Sequence, residues 1–198
     1  MKNFFDHHTH SDKPFSCRSC RVEEFLNIKK PLEGQNFSLQ LHPWHLPENF
    51  TGLPENFIKL AKSDQICAIG EIGLDRLHGP ALDIQIKYFK AALDLANELK
   101  KPVILHIVRC GDEALRILEN YPHLKKIWHG FRGKKELFRK IVDANIFVLL
   151  HPAMLDNDDF VCYLKEHSCL SEQIGLESDD SDIDLQKLYT TLEKIFYD

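Results

Sequence analysis

Residues 66–75 (ICAIGEIGLD), 81–100 and 102–107 (PVILHI) together decide the fold. Residues 66–70 are a short apolar run of strand type that leads into Glu71, Gly73 and Asp75. Residues 81–100 carry Ile86, Phe89, Leu93, Ala96 and Leu99 at intervals of three or four, the spacing of one helix face. Pro102 cannot continue that helix and opens the next apolar run, which ends near His106. Strand, long helix and strand in this order make a parallel βαβ unit.

The same alternation extends in both directions. Strands are expected over 2–6, 37–41, 125–129, 145–150 and 172–176, and helices over 22–29, 54–62, 112–120, 133–143, 156–166 and 184–196. With the central unit this gives seven strands in a parallel α/β sheet, either open and doubly wound or closed into a barrel. No glycine-rich phosphate loop follows the first strand, so the dinucleotide-binding and P-loop signatures are absent. No repeat or linker divides the chain, and residues 1–198 are expected to form a single domain.

Composition narrows the function classes. The formal charge of −5 gives no support to binding nucleic acid chiefly through counterion release. No apolar run is long enough to span a bilayer, and residues 1–10 lack the apolar stretch and cleavage site of a secretory signal, so no membrane partner and a cytoplasmic location are expected. In that compartment the six cysteines are expected as free thiols. Cys17 and Cys20 form a lone CxxC without a second pair, which reads as structural rather than as a zinc site.

The eleven histidines matter through their positions. Residues 6–10 read Asp-His-His-Thr-His, and on an extended chain Asp6, His8 and His10 share a face. His42 and His45 follow the strand at 37–41, Glu71 and Asp75 end the strand at 66–70, and His106 with Arg109 ends that at 102–107. His129 ends the strand at 125–129, and Glu177 and Asp179 follow the last one. In a closed parallel barrel all strand C-termini open on one face. His8, His10, His106, His129, Glu71 and Asp179 are too many donors for one open catalytic ion and suit a pair of divalent metals, with Glu71 as the bridge. Such a pair is suited to hydrolysis. Imidazole-rich donors favour Zn or Mn over Mg. Arg132, Lys134 and Lys135 add a basic cluster after His129.

These stretches resemble the TatD family of metal-dependent deoxyribonucleases, within the amidohydrolase-like TIM-barrel group. The matching runs are 6–12 (DHHTHSD), 41–43 (LHP), 68–75 (AIGEIGLD), 102–106 (PVILH), 128–133 (WHGFRG) and 176–179 (LESD), all in family order. The resemblance implies a TIM-type parallel β/α barrel, here an incomplete one of about seven strands. It implies that His8, His10, Glu71, His106, His129 and Asp179 hold two divalent ions (Zn, Mn or Mg), with Glu71 and Asp179 also catalytic. It implies that His42, His45 and Arg109 lie near the substrate phosphate, with Asp75 behind the ligands. The expected activity is that of a phosphodiesterase or deoxyribonuclease acting on DNA ends or small nucleotides, as a monomer. The alternatives are a metal-dependent amide or ester hydrolase and an inactive metal-binding homologue. Three features depart from the family. About 32 residues separate His10 from His42, as if a strand and much of a helix were missing. The histidine motif reads HPWH, where the family often has HPH. Residues 177–184 (ESDDSDID) form an acidic loop that would repel a long polyanion.

Overall fold

A computed structural model describes residues 5–197. Eight parallel strands run in sequence order: β1 (Asp6–Thr9), β2 (Ser16–Cys20), β3 (Asn36–Leu39), β4 (Ile66–Asp75), β5 (Val103–Val108), β6 (Lys126–Phe131), β7 (Phe147–Leu150) and β8 (Ile174–Leu176). The ring closes through one parallel bridge between Thr9 and Asp179, flanked by His10 N–H to Asp179 O (3.2 Å) and Asp179 N–H to His8 O (3.1 Å). This is a TIM-type α/β barrel, nearly closed. The helices are α1 (Val22–Leu26), α2 (Glu55–Ala61), α3 (Leu82–Leu99), α4 (Gly111–Leu118), α5 (Lys135–Asp143), α6 (Asp158–Glu166) and α7 (Leu185–Tyr197).

The expected strand over 2–6 lies partly outside the described residues, and β1 begins at Asp6. The count of seven is corrected to eight by β2, whose sequence SCRSC is short and polar. Only residues 10–15 join it to β1, with no helix between them. The segment that looked absent is therefore a missing helix and a present strand. Small side chains suit β2 to the crowded interior: Cys17 packs with Ala68 and Ile104 inside the barrel, while Cys20 joins the outer core. The three-residue spacing on a strand sends the two thiols to opposite faces, so this CxxC cannot chelate one ion. All six cysteines are free.

Apolar periodicity explains the outer layer. Tyr88, Phe89, Ala92, Leu93 and Ala96 bury one face of α3 on the sheet. Lys101, just past this helix, donates from Nζ to Ala61 O (2.6 Å) and Ser63 O (2.7 Å), satisfying carbonyls at the end of α2. On the far side Phe131, Phe138 and Phe160 form an aromatic cluster, with Phe138 at 5.4 Å and 5.0 Å from the other two ring centroids. Phe138 is fully buried. Phe138→Ala is expected to destabilise the fold by about 3–5 kcal/mol, read as a shift in the urea midpoint with unchanged slope.

β4 is the strand that carries the site, and two glycines let it sit close to β5. Gly73 lies opposite His106 with φ +154°, and a Cβ there would come within 1.9 Å of the His106 carbonyl oxygen. A Cβ at Gly70 would meet Ile104 Cβ and O at 2.6 Å. Only glycine permits this approach, and it sets Glu71 and Asp75 against the end of β5.

Candidate metal centre

Glu71 stands at the middle of the open end of the barrel, 2% exposed. Its Oε1 faces His10 Nε2 (3.0 Å) and His8 Nε2 (3.5 Å). Its Oε2 faces His129 Nε2 (3.0 Å), His106 Nδ1 (3.5 Å) and His42 Nε2 (3.6 Å). Asp179 Oδ1 lies 3.6 Å from His8 Nε2 and 3.5 Å from His10 Nε2. One carboxylate thus separates two donor groups. His8, His10 and Asp179 lie on one side, and His106 and His129 on the other. Among the described residues, three triads have donor atoms mutually within 4.8 Å: His8–His10–Asp179, His8–Glu71–His129 and His42–Glu71–His106. All six residues expected as ligands converge.

The donor set fits cations. Both His8 nitrogens and Glu71 Oε1 are buried without a hydrogen-bond partner, which is costly unless something charged or polar meets them. His106 Nδ1 and His129 Nε2 point at each other across 3.2 Å. Burial favours the neutral His129 ring, yet Glu71 and Glu177 raise its pKa well above the ordinary value. Burial likewise opposes the charge on Glu71, but His129, His8, His10 and His106 hold it well below the usual carboxylate range. Burial opposes the charge on His10 too, yet the approach to Glu71 raises its pKa, so without an ion His10 and His129 favour protons where metal would bind.

The partners of the far ring nitrogens set the roles. His106 Nε2 meets Asp75 Oδ2 (3.2 Å) and His129 Nδ1 meets Glu177 Oε1 (3.5 Å). The Asp75 carboxylate behind His106 keeps the proton on Nε2 and turns the Nδ1 lone pair forward, while Glu177 stands behind His129 as a neighbouring charge. Glu177 is fixed in turn by the Gly130 N–H. Asp75 is held by the N–H groups of Leu77 (2.7 Å) and His78 (3.2 Å). Behind it, buried Gln85 accepts from Asp75 N–H (2.7 Å) and donates to the carbonyls of Asp75, His78 and Pro80. His42 is different. Its Nδ1 accepts from the Trp44 backbone N–H (3.2 Å), so the proton of the neutral ring sits on Nε2. Burial drives the His42 pKa down to about 3, which keeps the ring neutral. An Nε2–H is a donor and not a ligand, so we separate His42 from the ligands despite its proximity.

The site lies in a cavity of about 420 Å³, lined also by Arg21, Glu24, Gln40, Trp44, His45 and Asp180. His45 lines this cavity too, its ring 5.9 Å from that of His42. Arg109 does not line the cavity: it leaves β5 with φ +54°, exposed, and its carbonyl accepts from Arg76 Nε (3.0 Å). Arg132, Lys134 and Lys135 are outside the lining as well. Among the described residues, Arg21 is the only Arg or Lys on the wall, and its guanidinium pairs with Glu24 Oε1 (2.9 Å). Sequence reasoning missed it because it follows the unrecognised strand β2. Of the acidic loop only Asp179 and Asp180 reach the cavity. Lys13 Nζ donates into that loop, to Ser178 Oγ (3.0 Å) and Ser181 O (3.3 Å).

A family model described as TatD related DNase matches residues 15–180. The chain belongs to the TatD family. It is 28% identical over 163 residues to an uncharacterized metal-dependent hydrolase of Buchnera aphidicola, covering 75% of this chain and 60% of that protein. It is 38% identical over 101 residues to the 3′-5′ ssDNA/RNA exonuclease TatD of a Pantoea species, covering 48% and 38%. These matches thus span 60% and 38% of the relatives' lengths, less than two thirds of each. Among solved structures, the TatD homologue YjjV of Escherichia coli superposes with a TM-score of 0.73 at 18% identity, over 96% of this chain and 89% of that one. That likeness concerns the fold. The candidate His, Glu and Asp donors of this chain stand at the C-terminal ends of its barrel strands. No helix among the described residues is long and apolar enough to cross a membrane.

Proposed function

We propose that this chain is a two-metal phosphodiesterase acting on nucleic-acid ends or small nucleotides, with residues 1–198 working as one barrel domain and as a monomer. The observation that carries this reading is the division of donors by Glu71, whose two oxygens face separate histidine groups. His8, His10 and Asp179 would hold one dication, His106 and His129 the other, and Glu71 both. Zn and Mn suit the imidazole-rich set better than Mg. Two bound dications supply Lewis acidity at a phosphate and an acidified water. The chain's own groups do the rest. His42 donates its Nε2–H to a non-bridging phosphate oxygen, and Arg21 holds a neighbouring phosphate in the role first expected of Arg109. Asp75 and Glu177 keep the ligand rings aimed, and the barrel wall excludes water from behind. The relatives named for nuclease activity support a nucleic-acid substrate, and a cytoplasmic location accords with the free thiols.

Metal-dependent release of nucleotides from a single-stranded oligonucleotide tests the reading. No hydrolysis with Zn, Mn or Mg would remove it. Arg21→Ala is expected to raise KM about tenfold with metal content intact, while Arg109→Ala leaves both nearly unchanged.

Acidity should act through the ligands. The raised His129 and His10 pKa values mean that the metal-free site is protonated until pH climbs through them. Binding needs the free lone pairs, so it releases protons and strengthens as pH rises, by about tenfold per unit for each proton released. Calorimetric titration with Zn²⁺ in buffers of different ionisation enthalpy reads that number. An affinity that does not change between mildly acidic and neutral pH would contradict it.

A further inference from the structure

We propose that the exposed face of Trp44 is a stacking platform for an unpaired nucleobase beside the phosphodiester that is cut. The inference rests on the phosphodiesterase reading and adds a residue that selects the substrate. Trp44 is 48% exposed, an unusual state for the largest apolar side chain, and it lines the same cavity as Glu71, His106 and His129. The chain's other tryptophan, Trp128, is 3% exposed and belongs to the core. The indole does not swing freely. Its Nε1–H donates to Asp75 Oδ2 at 2.5 Å, and Asp75 is itself fixed by Leu77, His78 and His106. The rings of His42 and His106 meet the indole edge-to-face, at centroid distances of 4.9 Å and 5.7 Å and 83°. Exposed His78 lies beside the indole, 4.9 Å away at 46°.

The chemistry on either side of this ring narrows the ligand. The donor cluster and Arg21 call for a phosphate, and the rigid aromatic surface calls for a flat π-system one side chain away. A nucleotide joins the two. With its N–H already used by Asp75, the indole offers only its face, which every base can stack on. The platform therefore binds without reading sequence. A base inside a duplex has both faces covered by its neighbours, so the platform favours single strands and frayed ends.

The test uses the metal-loaded protein and a phosphorothioate oligothymidylate that resists cleavage, with intrinsic tryptophan emission as the readout. Trp128 is shielded, so quenching reports Trp44. Saturable quenching by the oligothymidylate, absent with an abasic oligomer of the same length, is the expected result. Equal quenching by both oligomers, or quenching by neither, overturns the platform. With cleavable oligomers, the ratio of kcat/KM for the base-bearing over the abasic strand should fall about 5- to 150-fold in Trp44→Ala. It should be largely retained in Trp44→Phe, which keeps a ring but loses the N–H. A ratio that falls alike in both variants would assign Trp44 to positioning Asp75 instead. Base-dependent quenching without hydrolysis of either oligomer would leave the platform standing and remove the phosphodiesterase. Hydrolysis of both oligomers without base-dependent quenching would do the reverse.

Discussion

Glu71→Gln is expected to lower bound metal from two ions towards one and to cut phosphodiester hydrolysis by at least about a thousandfold. The amide has the same shape and fits the same buried space, so the loss is one of charge. In the native protein a single carboxylate faces two donor groups, one through each oxygen. Glutamine keeps one acceptor oxygen and turns an NH₂ towards the other group, where it cannot ligate a cation and instead occupies an imidazole lone pair by donating to it. His42→Ala is the informative contrast. His42 Nε2 is about as close to Glu71 as His8 is, at 3.6 Å against 3.5 Å, so distance alone would make it a ligand. The Trp44 N–H on its Nδ1 argues otherwise. His42→Ala should therefore keep both metals and lose rate or raise KM. Elemental analysis of the two variants beside an oligonucleotide assay decides the matter. An unchanged rate in Glu71→Gln would end the bridging role. Equal metal loss in both variants would put His42 among the ligands and refute the tautomer argument.

How much of this could be read in the sequence follows from the physics of each segment. α3 was legible because a long periodic run carries its own signal; β4 and β5 were legible as short apolar runs with Pro102 marking the joint, although β4 continues past Gly70 to Asp75. The converging donors were legible because parallel strands in a barrel present all their C-termini on one face. β2 was not, since five residues of Ser, Cys and Arg show neither alternation nor apolarity. Its place is fixed by its neighbours, through ladders to β1 and β3 and the Ser19 hydroxyl donating to Gly70 O (3.3 Å). Arg21 was lost with it. Arg109 was expected at the substrate because it follows His106 closely, but sequence adjacency says nothing of direction, and Arg109 is exposed and outside the cavity lining, with φ +54° at the end of β5. The far-side partners of the imidazoles were only half visible. Glu177 and Asp75 could be named as neighbours, but which ring nitrogen each engages is a three-dimensional fact, and that fact separates ligand from donor.

Gly73→Ala should be the most damaging single-methyl change in the chain. Glycine at this position is not serving a turn. It sits inside β4, paired with His106, where the two strands approach too closely for any side chain. The added Cβ would overlap the His106 carbonyl oxygen, a backbone atom that cannot rotate aside, so β4 and β5 must separate. The φ of +154° adds a second penalty, since a side chain disfavours that region whatever the space. Separation would break ladder hydrogen bonds between Ile72–Asp75 and Leu105–Val108 and move Glu71 relative to His106. The expected loss is at least about 3 kcal/mol in urea unfolding, above the usual range for a surface or helix substitution. Metal content should fall with it, because Glu71 must face both donor groups within a few tenths of an ångström. A fully stable Gly73→Ala that still bound two ions would show that β4 can relax without disturbing the centre. The close strand approach would then be incidental, and the placement of Glu71 would have to come from the ions themselves.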